Sequence, residues 1–354
     1  MLGAADAPAR MHDGAGTREY RPAATEAGRR LPVTGRRSRM WAMVVPSFTR
    51  AQLAAGAPGP ETALTIGVLD GVHRGHQWLL GRLREEARRR ALSPGVVTLH
   101  PHPVTVLRPE VPPCYLTSLE ERMELIRAAG ADWVIPLTFT SEVSEVTAEE
   151  LAGAFVELLR MRLMVLGPDA AFGRGAPKDT VERMRRLGAE LGFEVVQVEP
   201  LMHDHERYSS TAVRAALAAG DMDRVTALLG RPYRLSGPVV RGFERGRTIG
   251  FPTANISVAA DRALPALGVY ATRASVAGHR LMGATNIGRR PTFDAGHVSI
   301  ETHLLDFEGD IYGERMDLEI VARIRGEVKF ASADALKAQI AEDVREARRL
   351  LAGA

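Results

Sequence analysis

Short apolar runs alternate with helical periodicity between about residues 60 and 200. The run from Leu64 to Leu69 predicts a buried strand, and the apolar residues after it recur at helical spacing as far as Ala91. Later runs predict further strands at 96–99, 133–137, 164–166 and 193–198. Because strands and helices alternate in this way, the pattern predicts a doubly wound α/β domain with a mainly parallel sheet.

Two helices of this region carry clear start signals. Ser118 precedes a helical pattern that ends at Gly130, and the segment from Thr147 to Glu150 is a capping box in front of a second apolar helix face. Both helices fall between predicted strands, as the alternation of a doubly wound sheet requires.

The pattern changes after Pro232. Short strand-like runs separated by glycines and turns follow, which is typical of a small β-barrel or sandwich. A last amphipathic helix is predicted after Ser332 and is expected to pack on these strands. We therefore predict three parts, a disordered Arg-rich extension, an α/β domain and a β domain with a C-terminal helix, at 1–40, 41–228 and 229–354.

The net charge of +3 is distributed unevenly. Residues 1–40 hold eight arginines and four acidic residues, so the rest of the chain has a net charge of −1. A folded part without a basic excess does not favour nucleic acid as a partner. No apolar run approaches the ~20 residues of a membrane span, so no membrane partner is expected. The single cysteine, Cys114, fits a reducing cytoplasm.

The segment GVLDGVHRGH, from Gly67 to His76, lies where the first predicted strand ends and a helix begins. Helix N-termini at the carboxyl edge of a parallel sheet bind phosphates, and glycines let the backbone come close to them. His73 and His76 are therefore predicted to donate hydrogen bonds to phosphate oxygens. Two alternatives stay open, which are packing of the two imidazoles and a zinc site completed by His100, His102, His203 or His205.

A second candidate phosphate element lies further along the chain, where Ser209 to Thr211 precede a helix that contains Arg214. Hydroxyls at a helix start either cap its amides or bind an anion, and a guanidinium one turn later matches a phosphate. An ordinary N-cap is the alternative interpretation. The chain has three lysines, and none lies in a G-K-[ST] context, which excludes a Walker-type phosphate loop.

Several segments, in order along the chain, carry a family resemblance. In the N-terminal half they are GVLDGVHRGHQ, PHP, LTSLEER, VLGPDAAFGRG and SSTAVRAALAAGD. In the C-terminal half they are LLGRPYRLSGPVVRG, GRTIGFPTANI, GVYA, NIGRRPTF, ETHLLDF and IYGERMDLE. Over about residues 64–350 the chain thus resembles the prokaryotic bifunctional riboflavin kinase/FAD synthetases. The H-x-G-H motif alone is typical of the wider nucleotidylyltransferase superfamily, whereas GFPTAN with a later glutamate is close to diagnostic of riboflavin kinase.

For the N-terminal half, the resemblance implies a nucleotidylyltransferase fold that transfers AMP from ATP to FMN, with FAD and pyrophosphate as products. His73 and His76 would stabilise charge on the attacked phosphate, and Arg214 would act with them. Asp169 and Phe172 would line the nucleotide and flavin cleft. The implied nucleotide and phosphate contacts are Gly67, Asp70, Gly71, Gly75, Ser210 and Thr211.

For the C-terminal half, the resemblance implies a small Greek-key β-barrel that phosphorylates the ribityl hydroxyl of riboflavin with ATP. Glu301 would accept the hydroxyl proton, and Arg325 would help to close the flavin site. Thr253 and Asn255 would supply oxygen ligands to Mg²⁺. The implied nucleotide contacts are Gly246, Gly250, Pro252 and Thr253. The implied partners are small molecules, namely ATP, riboflavin and FMN, and weak self-association is left open.

The N-terminal half departs from the family pattern at several positions. Leu69, Leu99 and Ala170 stand where the family has aromatic residues, and His100 stands where it has an acid. Aromatic stacking is worth roughly 0.5–1.5 kcal/mol per pair, so the loss of several rings would weaken or widen a flavin site. An alternative is therefore a kinase whose N-terminal domain is vestigial or uses another nucleotide or flavin analogue. A non-catalytic flavin-responsive protein is a third hypothesis, and the intact motifs of the C-terminal half argue against it.

Overall fold

The computed structural model describes residues 40–41, 44–167, 170–175, 180–203, 206–242, 250–289 and 298–353. Asp169, His205 and Gly246 lie outside the described residues, and so does nearly all of the extension that the sequence predicts to be disordered. Among the described residues, no helix has both the length and the apolar character that crossing a membrane requires.

Five parallel strands form the sheet of the N-terminal domain. Their bounds are β1 Thr62–Gly67, β2 Ser93–His100, β3 Trp133–Thr138, β4 Met161–Leu166 and β5 Glu194–Gln197. Their spatial order is β3-β2-β1-β4-β5, which confirms the predicted parallel α/β architecture. β1 ends two residues before its predicted limit because Leu69 has a φ of 50°, a left-handed conformation that cannot continue a strand.

Helices cover both faces of this sheet. Leu64 packs in one cluster with Leu53, Phe155 and Met184, whereas its neighbour Ala63 packs in another with Leu83, because successive strand side chains point to opposite faces. The helices are α1 Ser47–Ala55, α2 Arg74–Arg89, α3 Pro103–Leu107, α4 Leu119–Ala128, α5 Ser141–Ser144, α6 Ala148–Leu158, α7 Thr180–Leu191, α8 Ser210–Ala219 and α9 Met222–Leu229. A two-stranded hairpin, β6 Met202–His203 and β7 Glu206–Arg207, precedes α8.

The predicted start signals are confirmed. Ser118 Oγ accepts a hydrogen bond from Glu121 N at 3.1 Å and caps α4. Thr147 and Glu150 form the reciprocal capping box in front of α6, with bonds of 2.8 and 3.3 Å. These side chains satisfy amides that the first turn of a helix leaves without a partner.

One residue of the sheet edge, Thr138, is bound by α1. Gln52 Nε2 donates to Thr138 Oγ1 at 2.7 Å, and Thr138 N donates to Gln52 Oε1 at 3.2 Å. β3 is an edge strand, so its outer backbone groups would otherwise face water or another chain. Nothing in the sequence pattern predicted this helix or its contact with β3.

Six strands close into the barrel of the C-terminal half. They are β8 Tyr233–Val240, β9 Ala254–Ile256, β10 Gly268–Val276, β11 His279–Arg289, β12 Val298–Leu304 and β13 Arg315–Arg325. Their order around the barrel is β10-β11-β12-β9-β8-β13, with antiparallel neighbours. The predicted C-terminal helix, α10 Ala333–Ala352, is confirmed, and Ala347 and Leu351 pack on the outer face of β10 and β11.

The two halves share a packed boundary. Val213, Leu217 and Val225 of α8 and α9 belong to the same apolar cluster as Tyr233 and Ile320 of the barrel. A second connection pairs backbone groups, since Tyr115 N donates to Asp261 O at 2.7 Å and Ala263 N donates to Tyr115 O at 2.8 Å. The segment that precedes α4 therefore runs beside a barrel loop.

Candidate active sites

The turn between β1 and α2 has an unusual backbone. Leu69, Gly71 and Val72 have φ values of 50°, 80° and 39°. A positive φ is ordinary for glycine but costs of order 1–3 kcal/mol for other residues, above all for a β-branched one. Such strain persists only where surrounding contacts hold it, and it is concentrated at functional sites.

Asp70 is the centre of the contacts that hold this turn. Its buried carboxylate accepts hydrogen bonds from Leu116 N at 2.9 Å, Thr117 N at 3.1 Å and Thr117 Oγ1 at 3.0 Å. Arg214 Nη2 donates to it, and Nη2 of Arg122 lies 3.6 Å away. Arg122 is 0% exposed, so Asp70 compensates a guanidinium that is out of reach of water.

The backbone of the turn is also bound from several elements. Ser210 Oγ donates to Asp70 O at 2.8 Å, and Thr98 Oγ1 donates to Val68 O at 3.0 Å. Gly71 N donates to Thr117 Oγ1 at 3.2 Å. Each of these bonds satisfies a backbone group that no strand or helix can pair, so the strained conformation is fixed by side chains.

The imidazole rings of His73 and His76 stack at the start of α2, with centroids 3.7 Å apart and planes inclined by 22°. His73 Nδ1 accepts a hydrogen bond from His76 N at 3.3 Å and so caps the helix. Since Nδ1 is an acceptor, the neutral ring carries its proton on Nε2, where it is available as a donor. The structure therefore brings the two predicted histidines together.

Burial determines the charge of both imidazoles. It lowers the pKa of His73 to about 4, although the Asp70 carboxylate acts in the opposite direction. Burial, followed by the proximity of His73 and Arg122, holds the pKa of His76 well below its usual value. Both rings are therefore neutral near pH 7 and can donate a hydrogen bond without bringing a positive charge of their own.

The start of α8 lies beside this turn. Ser209 Oγ accepts from Ala212 N at 3.1 Å, so the N-cap interpretation is confirmed for Ser209. Thr211 is exposed in the first turn. Arg214 Nε donates to Cys114 O at 2.7 Å in addition to its bond with Asp70. The amides of the α8 N-terminus and the partly exposed Arg214 provide the positive end that a phosphate requires.

A second group of predicted residues lies on the barrel. Asn255, Glu301 and Asn286 are direct cross-strand neighbours on β9, β12 and β11, so their side chains project from one face. The alternate residues Thr302 and Thr285 are 0% exposed and lie in the barrel interior. The row of Asn255, Glu301 and Asn286 therefore lies on the outer surface of the barrel wall.

Asn255 is the buried member of this row. It is 5% exposed, and its Oδ1 atom has no hydrogen-bond partner among the described residues. A Cβ atom at Gly242 would lie 2.3 Å from Asn255 Nδ2, so a side chain at position 242 would displace the Asn255 amide. Thr253 is half-buried two residues before Asn255, and Gly250 and Pro252 are exposed.

Two family models match this chain, one in each half. The model described as FAD synthetase matches residues 57–212, and the model described as riboflavin kinase matches residues 229–351. The bifunctional riboflavin kinase/FMN adenylyltransferase of Escherichia coli K12 is 40% identical over 294 residues, which cover 82% of this chain and 93% of that protein. The chain belongs to the bifunctional riboflavin kinase/FMN adenylyltransferase family.

Other relatives agree with this membership. The Listeria monocytogenes bifunctional riboflavin kinase/FMN adenylyltransferase is 35% identical over 293 residues, or 82% of this chain and 92% of that protein. A solved structure from Streptococcus pneumoniae, described as a macrolide-efflux protein, matches with a TM-score of 0.77 and 30% identity. That match covers 84% of this chain and 96% of the other, so the two-domain architecture is common to both.

Phe172 and Arg325, two residues predicted to contact the flavin, contact other side chains of the protein in this structure. Phe172 is 2% exposed and packs edge to face on Phe155, with ring centroids 5.9 Å apart, and its role as a cleft-lining residue stays a prediction. Arg325 donates to both carboxylate oxygens of Asp343 at 2.8 and 2.7 Å. This pair connects β13 to α10, and a flavin contact of Arg325 stays a prediction.

The structure also places the other polar residues that the sequence singled out. Asp70 holds the turn from a buried position, and a contact of this residue with phosphate stays a prediction. Within the described part of the chain, no group of three or more His, Cys, Asp or Glu side chains could hold a metal ion. His205 and the His203 side chain lie outside that part.

Three further residues of the site were missed by sequence reasoning, and they are Arg122, Thr117 and Arg231. Arg122 and Thr117 lie within LTSLEER, and Arg231 lies within LLGRPYRLSGPVVRG, and both segments carry the family resemblance. Arg231 donates to Gly71 O at 2.8 Å. The motifs were a signal that these residues matter, but only the contacts show that they hold the turn.

Proposed function

We propose that this chain converts riboflavin to FMN in its barrel and FMN to FAD in its α/β domain, with ATP as the phosphate and adenylyl donor. The observation that carries the proposal is the match of both family models to one chain whose motif residues meet in two sites. Beyond the departures from the family pattern at Leu69, Leu99, His100 and Ala170, no observation favours the alternative of a vestigial N-terminal domain or a different nucleotide.

In the α/β domain, a phosphate oxygen of FMN attacks the α-phosphorus of ATP. The bond between the α- and β-phosphates breaks, and pyrophosphate leaves with the electron pair. His73 and His76 donate hydrogen bonds to the phosphate oxygens on which charge develops. The N-terminus of α8, with Ser210, Thr211 and Arg214, binds the departing phosphates. Most of the acceleration comes from positioning and electrostatics, because the strained turn is held before the substrates arrive.

In the barrel, Glu301 accepts the proton of the ribityl hydroxyl as its oxygen attacks the γ-phosphorus of ATP. ADP leaves and FMN is formed. The families named by the two models generally use a divalent metal, and we assign Mg²⁺ to Thr253 and Asn255. The partnerless Oδ1 of Asn255 fits this choice, because Mg²⁺ prefers oxygen ligands. When bound, the ion neutralises charge on the ATP phosphates.

The remaining expectations are proposals of the same kind. We place the adenylyltransferase domain at 41–228 and the kinase domain at 229–354, and the models that match 57–212 and 229–351 support an assignment of one activity to each half. ATP, riboflavin and FMN are the small molecules bound. A cytoplasmic location, the lack of a nucleic-acid partner and weak self-association stay predictions.

Product analysis tests the function directly. The purified full chain is incubated with ATP and Mg²⁺ and either riboflavin or FMN, and the flavins are separated by chromatography. FAD is expected from both, with FMN as an intermediate when riboflavin is supplied. If FMN yields no FAD, the assignment of the α/β domain is refuted, and if riboflavin yields no FMN, that of the barrel is refuted.

A further inference from the structure

The strained turn is bound on one side by a residue outside the α/β sheet and its helices. Arg231 lies between α9 and β8, in the connection to the barrel. Its Nη2 atom donates to Gly71 O at 2.8 Å, and its Nη1 atom donates to Val72 O and to Leu229 O, each at 3.3 Å. One guanidinium thus joins two consecutive carbonyls of the turn to the end of α9.

Gln77 reinforces the same junction from α2. Its Nε2 atom donates to Val72 O and to Leu229 O, each at 2.8 Å. Val72 O therefore has two donors, whereas for Gly71 O the described hydrogen bonds show Arg231 alone. Removal of Arg231 would leave the Gly71 carbonyl without its donor and the Val72 carbonyl with one.

These carbonyls lie directly before the catalytic histidines. Val72 precedes His73, and its φ of 39° sets the direction from which the chain enters α2. His73 in turn holds His76 N through Nδ1. A change in the backbone at Gly71 or Val72 would therefore move both imidazoles, and a displacement of about 1 Å at a reacting centre can cost about 100-fold in rate.

We propose that Arg231 is a positioning residue for adenylyl transfer, which holds the Gly71 and Val72 carbonyls so that His73 and His76 face the phosphates. The inference rests on the proposed function of the α/β domain. It gives a residue near the start of the kinase half, where the family model matches 229–351, a role in the chemistry of the α/β domain. The planar fork of arginine suits this role, because its two Nη atoms hold Gly71 O and Val72 O in a fixed geometry, whereas lysine carries a point-like ammonium on a flexible stem.

The chain offers a matched control in Arg234, three residues later on β8. Its described ion pairs join Glu121 at 3.3 Å, Glu124 at 3.4 Å and Asp317 at 3.9 Å. Arg234 thus connects the barrel to α4, as Arg231 connects it to the turn. Replacement of either arginine weakens the boundary between the halves, but only Arg231 binds the backbone before the histidines.

The experiment compares Arg231→Ala, Arg231→Lys and Arg234→Ala in the full chain. The kcat and KM of FMN adenylylation are measured beside the kcat of riboflavin phosphorylation. For Arg231→Ala we expect the adenylylation kcat to fall about 10- to 100-fold, with KM for FMN and the kinase kcat nearly unchanged. Lysine should restore little, whereas added guanidinium chloride at low concentration should restore part of the activity. Arg234→Ala should retain both activities.

Several results would overturn the inference. One is an unchanged adenylylation kcat in Arg231→Ala. Another is an equal loss of adenylylation in Arg231→Ala and Arg234→Ala, and a third is a parallel fall of the adenylylation and kinase activities in Arg231→Ala. Arg231→Gln, whose shorter amide keeps a polar group at the boundary but falls short of the Gly71 and Val72 carbonyls, provides the test if the alanine variant does not fold. A wild-type chain that forms no FAD would refute the proposed function and this inference with it. A wild-type chain that forms FAD, beside an Arg231→Ala variant that does so equally well, would refute this inference alone.

Discussion

The two candidate sites are built in different ways. In the α/β domain, the turn from Leu69 to Val72 is strained and is held by side chains from β2, α2, α8, the segment before α4 and the connection to the barrel. In the barrel, Asn255, Glu301 and Asn286 are aligned by regular strand pairing. A site made by tertiary contacts should lose stability and activity together, whereas a site made by backbone register should lose activity alone.

The largest effect is expected for Asp70→Asn. This change leaves the buried Arg122 without its counter-charge, which is expected to lower the free energy of unfolding of the α/β domain by about 3–5 kcal/mol. The three tryptophans, Trp41, Trp78 and Trp133, all lie in the N-terminal half, so their fluorescence during urea denaturation reports this domain.

FAD formation by Asp70→Asn should fall along with its stability. Asp306→Asn is the matched control, because it removes the carboxylate of an exposed ion pair with Arg348 on the barrel side. Its unfolding curve should resemble that of the wild type. An Asp70→Asn protein as stable as wild type would show that the buried pair does not hold the turn.

Glu301→Gln tests the other side of the comparison. The substitution keeps the size and a polar group but removes the base, so riboflavin phosphorylation should fall by about 10²–10⁴-fold. Because Glu301 is half-buried on a regular strand, thermal stability should change little. FAD formation from FMN should continue, and product analysis from each flavin measures both rates. Loss of both reactions would contradict the separation of the two sites.

The third prediction concerns pH and His73. The folded protein binds a proton at His73 only near pH 4, whereas the unfolded chain does so near pH 6.5, so the unfolded state holds more protons between these values. The free energy of unfolding should therefore fall by about 2–3 kcal/mol on acidification from pH 6.5 to pH 4, and His76 acts in the same direction.

His73→Asn isolates this contribution, because asparagine retains a cap acceptor but does not titrate. Urea unfolding followed by tryptophan fluorescence at pH 7.5 and 4.5 should show a smaller loss of stability on acidification in the variant. His279→Asn, at an exposed position on β11, is the control and should follow the wild type. An equal pH dependence in His73→Asn and wild type would mean that His73 does not carry the effect.

The sequence predicts well those features that depend on local pattern. Strand and helix alternation, the capping box at Thr147 and the amphipathic α10 are all present, because periodicity and caps act within a few residues. The carboxylate of Asp343 on the buried face of α10 was not predicted, since its partner Arg325 lies on a distant strand.

The predictions fail where tertiary contacts override local preference. Leu69 and Val72 adopt positive φ values that neither residue favours alone, and no pattern along the chain shows the contacts that impose them. Phe172 is an aromatic residue within a family motif, and sequence does not distinguish a ring that faces a ligand from one that packs on Phe155. The histidine pair was predicted, but the residues that hold it were not.

The smallest predicted effect concerns α1 and the edge of the sheet. Gln52→Ala removes two hydrogen bonds to Thr138 that are partly open to water, so the free energy of unfolding should fall by only about 1 kcal/mol. Both activities should persist, because Thr138 lies at the sheet edge formed by β3.

The exposed edge of β3 should instead promote association, measured as an increase in mass by light scattering at high concentration. Gln197→Ala on β5, at the opposite edge, is the control. Equal masses for the two variants would show that the Gln52 side chain does not protect the edge.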